Sequence, residues 1–389
     1  MTSPQGYPSQ GAPVPSQGHA VVRAQAPTVI QPAVPVAGGA PVSAEAPTGL
    51  SAALQAEVNK LERAVFEVKR VIVGQDILVE RMLVGLLAKG HVLLEGVPGV
   101  AKTLAVETFA KVVGGSFARI QFTPDLVPTD IVGTRIYRAG KEQFDIELGP
   151  VMVNFLLADE INRAPAKVQS ALLEVMAERK ISIGGKSFSL PNPFLVMATQ
   201  NPIEQEGVYT LPEAQRDRFL FKLNVGYPSP EEEREIIYRM GVKAPEANQI
   251  LSTEELVRLQ DIAANVFVHH ALVDYVVRIV SATRDPEKFG MPDARSWIAY
   301  GASPRASLGI ISAARALALV RGRDYVIPQD VVEVIPDVLR HRLVLTYDAL
   351  ADEISPETVI HRILQTVALP QVSALGPQAH SAAPVVAGR

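Results

Sequence analysis

Cysteine is absent from the 389 residues, which excludes disulfides, thiolate metal sites and cysteine nucleophiles together. Excess positive charge is also missing. Lys and Arg number 37 against 41 Asp and Glu, for a net charge of −4 and a pI near 6.0, so no broad nucleic-acid-binding surface is expected. No stretch is long, apolar and free enough of charge and proline to span a bilayer. The N-terminus lacks the charged-then-apolar order of a signal peptide, its first basic residue being Arg23. The expected location is therefore the cytoplasm, without direct membrane insertion. The His269-His270 pair is a poor metal site: adjacent residues point to different sides of a helix, with no carboxylates at ligand spacing nearby. No fixed-period repeat is present.

Texture divides what remains. Residues 1–49 are rich in Pro, Ala, Val, Gln, Gly and Ser, with Arg23 and Glu45 as the charged residues and prolines at 4, 8, 13, 15, 27, 32, 35, 41 and 47. Such a segment blocks helices and central strands and buries too little apolar area to offset its chain entropy, so a disordered tail is expected. Residues 371–389 share that character. From 50 to 227, helical segments alternate with short β-rich runs at Val92–Leu94, Ala118–Phe122, Phe155–Ala158, Phe194–Ala198 and Phe219–Leu223, which predicts an α/β domain with a parallel sheet flanked by helices. From 228 to 370 the pattern is helical. Ser229, Ser252, Ser303 and Ser355 each stand ahead of Pro or acidic first-turn residues as N-caps.

The most informative stretch is Gly96-Val97-Pro98-Gly99-Val100-Ala101-Lys102-Thr103, between the apolar run 91–95 and a helix-forming segment. Strand, glycine loop and helix in that order form a phosphate-binding P-loop. Backbone N–H groups and the positive end of the helix dipole meet phosphate oxygens, Lys102 reaches the outer phosphates, and Thr103 holds Mg²⁺. Ala101 replaces the usual glycine before the lysine; a methyl group is tolerable there if φ stays negative, and it marks a subtype. The reading is a nucleoside-triphosphate binder.

Downstream, Phe155–Glu160 is an apolar strand ending in two carboxylates. Asp159 would position Mg²⁺ through its water shell and Glu160 would polarise the attacking water. A kinase needs no second carboxylate there, so hydrolysis is favoured. The closest approach to a guanine-reading tetrapeptide, Asn59-Lys60-Leu61-Glu62, ends in Glu and precedes the loop, which disfavours a GTPase. A third run, Phe194–Pro202, ends in polar residues. If its strand lies between those of the P-loop and Asp159, Asn201 would orient the attacking water, with Thr199 the weaker candidate. Arg218, with Arg216 as the alternative, could reach from the domain edge into a neighbouring subunit's nucleotide. Arg305 sits in a helix first turn, where the dipole disfavours a cation, a local conflict that hints at contact with phosphates.

With these residues in view, the chain resembles the AAA+ ATPases, and among them the MoxR group, over residues 55–370. Val71–Gln75 resembles the adenine-side segment, bringing Val73 and Gly74 to the nucleotide; Gly96–Thr103 resembles Walker A, including its alanine. Leu156–Ala164 resembles Walker B, Ala198–Pro202 sensor 1, Leu211–Phe219 the arginine-finger helix, and Gly301–Arg305 the sensor 2 segment. The resemblance implies an αβα ATPase domain with a small all-helical lid, binding ATP and Mg²⁺ in a homo-oligomeric, hexameric ring that remodels a protein client. It further implies a partner carrying a von Willebrand factor A domain. Two insertions follow from it: a hairpin across 181–190, and an insert between about 122 and 150 within the second helix, both facing the pore. A magnesium-chelatase-like or helicase-related motor, and a nucleotide-gated scaffold with little turnover, are the alternatives.

Overall fold

The computed structural model describes residues 52–96, 100, 102–201, 209–241 and 245–370. The calls on Val97, Pro98, Gly99 and Ala101, and on both tails, lie outside the described residues. Nine strands occupy the first part of the described chain: β1 (Val92–Gly96), β2 (Phe117–Gln121), β3 (Gly133–Arg138), β4 (Gln143–Leu148), β5 (Phe155–Asp159), β6 (Lys180–Ile183), β7 (Lys186–Ser189), β8 (Leu195–Gln200) and β9 (Phe221–Val225). Five of them, in the order β2-β5-β8-β1-β9, form one parallel sheet. Each corresponds to a β-rich run read from the sequence.

Alternation along the strands builds two cores. Val92 and Leu94, Phe155 and Leu157, and Leu195 and Met197 enter one apolar cluster; Leu93, Leu156, Ala158, Val196 and Ala198 enter the other. A strand turns successive side chains to opposite faces, so both faces require cover. The first face is covered by α1 (Ala52–Val71), α2 (Asp76–Leu87) and α3 (Lys102–Val113). The second is covered by α4 (Pro128–Val132) and α5 (Ala166–Glu178), with Ile181 and Ile183 of the β6–β7 hairpin joining that core.

The hairpin expected near 181–190 is β6–β7, paired Lys180↔Ser189 to Ile183↔Lys186. In the insert between 122 and 150, the helix is a single turn, α4, followed at once by the β3–β4 hairpin, and no α-helix resumes before β5. Gly133, at φ 103, explains the break: its conformation suits only glycine, and a Cβ there would strike the Glu147 carbonyl across the hairpin base.

A short α6 (Glu213–Arg216) precedes β9; beyond β9 come α7 (Pro230–Met240), α8 (Thr253–Ala264), α9 (His270–Ala282), α10 (Ala294–Trp297), α11 (Pro304–Val320), α12 (Pro328–Leu339), α13 (Tyr347–Ala351) and α14 (Pro356–Thr366). Ser229 and Ser252 cap α7 and α8 in reciprocal capping boxes, and Ser303 and Ser355 cap α11 and α14, at the starts expected from sequence. A small antiparallel ladder, β10 (Ile298–Tyr300) with β11 (Val344–Leu345), sits among these helices. Gln260 donates to the Leu86 carbonyl at 2.8 Å and Arg81 pairs with Asp337 at 2.8 Å, fastening α8 and α12 to α2. Among the described residues no helix is long and apolar enough to cross a membrane.

Candidate functional site

All five sheet strands run the same way, so their C-terminal ends share one edge. β1 delivers Gly96 there, β5 delivers Asp159 and β8 leads to Asn201. β8 lies between β1 and β5, the arrangement on which the reading of Asn201 depended, with Leu94↔Thr199 on one side and Ala158↔Ala198 on the other.

α3 begins at Lys102, six residues past the end of β1. The Lys102 ammonium donates to the Gly96 carbonyl, at the end of β1, at 2.6 Å. Burial pushes its pKa below the usual lysine range, while Asp159 and Glu160 oppose that shift. A partly desolvated cation at a helix N-terminus, held by a neutral carbonyl, is suited to an anionic ligand. Thr103 is half-buried on the same turn, and the Val100 side chain is buried in the core. Gly96 permits a close approach: a Cβ there would collide with the Val225 carbonyl on β9.

Asp159 and Glu160 are held by a compact hydrogen-bond set. The Thr199 hydroxyl donates to Asp159 Oδ1 at 2.5 Å and accepts from the Glu160 N–H at 2.8 Å. Glu160 adopts a left-handed backbone, φ 55, which turns its side chain out of the strand direction. Thr199 is 1% exposed, so its hydroxyl serves this pair rather than a solvent-side water. Arg119 reaches Asp159 Oδ2 from Nη2 at 2.6 Å and Nε at 3.1 Å, and Gln121 donates to Glu160 Oε2 at 2.8 Å. Arg163 pairs with the same Glu160 oxygen at 3.0 Å. Sequence reasoning missed Arg119 and Gln121. Their signal was present, as polar residues two apart on the β-rich run 118–122, but their relevance depends on the Gln121↔Asp159 register.

Asn201 is buried, and its carbonyl accepts from Asn162 Nδ2 at 3.4 Å; the Asn162 Oδ1 atom is buried without a partner. Val73 is buried and Gly74, at φ 65, abuts Glu232 at the start of α7, while Gln75 donates to the Gly226 carbonyl at 3.0 Å. The segment expected on the adenine side thus lies at the C-terminal end of β9, on the same edge as Gly96.

The two remaining arginines start from the other edge. Arg218 is exposed on the turn that enters β9 at its N-terminal end. Arg305, also exposed, lies 3.7 Å from Asp217 on that same turn. Four strand rises separate this end from Val225, roughly 13 Å along the sheet. Arg216 instead lines a cleft of about 740 Å³ with Glu95, Asn162, Gln200, Asn201 and Lys222, its Nε buried without a hydrogen-bond partner.

A parallel sheet in which the Asn201 strand separates the P-loop strand from the Asp159 strand, with a helical unit after β9, is the framework of an ATPase-family core. Two family profiles agree: "ATPase family associated with various cellular activities (AAA)" over residues 91–221, and "AAA lid domain" over 293–363. The chain is 81% identical over 338 residues to Chaperone MoxR1 of Mycobacterium tuberculosis, covering 87% of this chain and 90% of that one. It is 31% identical to Protein MoxR of Methylorubrum extorquens, covering 78% and 93%. A crystal structure from Cytophaga hutchinsonii, itself described only as a candidate ATPase, matches with a TM-score of 0.78 at 45% identity, over 82% of this chain and 97% of that one. The chain belongs to the MoxR family of AAA+ ATPases.

Proposed function

We propose that the protein hydrolyses ATP with Mg²⁺ between subunits of a homo-oligomeric, hexameric ring and uses the resulting movement to remodel a protein client. The observation that carries this reading is the joint holding of Asp159 and Glu160 by Thr199, beside Lys102. Lys102 and the start of α3 would bind the outer phosphates, with Val73 and Gly74 at the base and the loop 96–103 around the phosphate chain. Among the described residues no group of three His, Cys, Asp or Glu could hold a metal alone. Mg²⁺ would therefore be shared between phosphate oxygens, Thr103 and Asp159, where it neutralises charge on the transferring group. Glu160 would take the proton of the attacking water, and Asn201 would orient that water.

Arg218 and Arg305 begin from the edge opposite the P-loop, which favours their acting together on a neighbour's nucleotide. The ATPase domain is assigned to 50–227 and the lid to 228–370. The name of the Mycobacterium tuberculosis relative supports a chaperone-like role; a cytoplasmic location and a von Willebrand factor A domain partner are added to the proposal from the family resemblance. The β3–β4 hairpin, where exposed Tyr137 and Phe144 pair at 5.0 Å and Arg135 lies over Phe144, is a candidate client contact. Mg²⁺-dependent ATP turnover by the full chain, lost in Lys102→Ala together with ATP binding, tests the proposal. Unchanged turnover in that variant would reject the phosphate site.

A further inference from the structure

The turn Asp217–Leu220, which carries Arg218, bridges the sheet and the helical elements. The Leu220 N–H donates to the His91 carbonyl at 2.8 Å and Phe219 is buried in the sheet's second core, while the other end of the turn is tied to the helices. Asp217 Oδ1 accepts from Arg342 Nε at 2.8 Å, and Asp217 Oδ2 accepts from the Ser303 hydroxyl at 3.0 Å. The Arg342 side chain is 3% exposed and donates also to the carbonyls of Asp217 at 3.2 Å, Phe219 at 2.7 Å and Leu220 at 3.1 Å. His341 Nε2 reaches the Phe219 carbonyl at 3.0 Å. Ser303 caps α11, accepting from the Arg305 N–H at 3.2 Å, and Arg342 follows α12 and holds the Val338 carbonyl. The guanidinium thus spends its donors on one short turn and one helix end, and the carboxylate joins that turn to α11. A buried, hydrogen-bonded pair of this kind does not separate without leaving a charge unpaired. A displacement of α11 and α12 therefore pulls directly on the Asp217 end of the turn, next to Arg218.

We propose that Asp217 and Arg342 are positioning residues that lock Arg218 to α11 and α12, so that a shift of those helices in one subunit moves the arginine presented to the next. The proposal rests on the reading of Arg218 as a finger acting in trans. In it, the position of α11 and α12 in one subunit sets the catalytic competence of the adjoining site.

Complementation separates this from a local structural tie. Asp217→Asn keeps the shape and an acceptor oxygen, and Arg342→Lys keeps the charge while losing the fork. Each full-length variant alone should unfold cooperatively, bind ATP, and lose at least tenfold in turnover, toward the roughly thousandfold typical of a missing arginine finger. Mixed 1:1 with Glu160→Gln subunits, which supply an intact finger but no base, each should recover to about a quarter of wild-type turnover, because half the sites keep a base and half of those border a sound finger. Arg218→Ala mixed with Glu160→Gln is the control. Rescue of Arg218→Ala without rescue of Asp217→Asn and Arg342→Lys overturns the proposal and leaves the finger intact. Absence of rescue for Arg218→Ala removes the finger reading, and the proposal with it. If one variant fails to fold, the other carries the test; failure of both, or full turnover in either alone, makes the pair purely structural and overturns the proposal.

Discussion

Thr199→Val isolates the junction on which the candidate site depends. Valine fills the volume of threonine, so no cavity is opened and the change removes only the hydroxyl. Two groups lose a partner: the Glu160 N–H, held at 2.8 Å, and Asp159 Oδ1, held at 2.5 Å. A buried N–H left unpaired costs about 1–3 kcal/mol, and a hydrogen bond to a charged group contributes about 1.5–3 kcal/mol. Asp159 retains Arg119, which lowers the second figure. The expected loss is about 3 kcal/mol, measured as a shift in the urea midpoint at constant slope. Thr199→Ser, which keeps the oxygen, should recover most of it. Turnover should fall in Thr199→Val beyond any loss of folded protein, because the left-handed backbone at Glu160 loses its anchor. Stability within about 0.5 kcal/mol of wild type, with turnover intact, would refute the reasoning.

Two further outcomes follow from packing and burial. Gly96→Ala places a Cβ against the Val225 carbonyl, so β1 and β9 must part; thermal unfolding should show about 1–3 kcal/mol of destabilisation, and an unchanged midpoint would contradict the close approach. Desolvation in the core lowers His91 to about 4, and desolvation likewise pushes His341 well below its ordinary value. Both bind protons more readily in the unfolded chain, so their contribution is complete above about pH 6.5 and is lost as pH falls toward 4. For His91 the loss reaches about 2 kcal/mol by pH 5 and about 3 kcal/mol by pH 4. Urea denaturation at pH 7.5 and pH 5 should register it, and a stability independent of pH across that window would show the two imidazoles to be solvated.

Much of the sheet was legible because each of its five strands is a short β-rich run, and three lead directly into the chemistry at Gly96, Asp159 and Asn201. The fifth starts two residues later than expected, at Phe221 rather than Phe219. Phe219 and Leu220 are apolar and buried like strand residues, yet their carbonyls are taken by His341 and Arg342 instead of a ladder partner. The β3–β4 hairpin was legible only as an insertion, since most of its residues are exposed and carry no buried face to set a period. Arg119 and Gln121 were hidden because only the pairing of β2 with β5 brings them to Asp159 and Glu160. Arg305 was flagged by a local conflict, a cation in a first turn, but its neighbour Asp217 is 88 positions away in sequence and could not be inferred from spacing.

The central claim is that Glu160 removes the proton from the water that attacks ATP, while binding belongs to the P-loop. The direct measurement is ATP binding and ATP turnover on the same preparations of wild type and Glu160→Gln, in the presence of Mg²⁺. The account predicts near-equal affinity, with turnover in Glu160→Gln reduced by at least about a hundredfold, as expected for a missing general base. Turnover at the wild-type rate in Glu160→Gln, with binding intact, would contradict it.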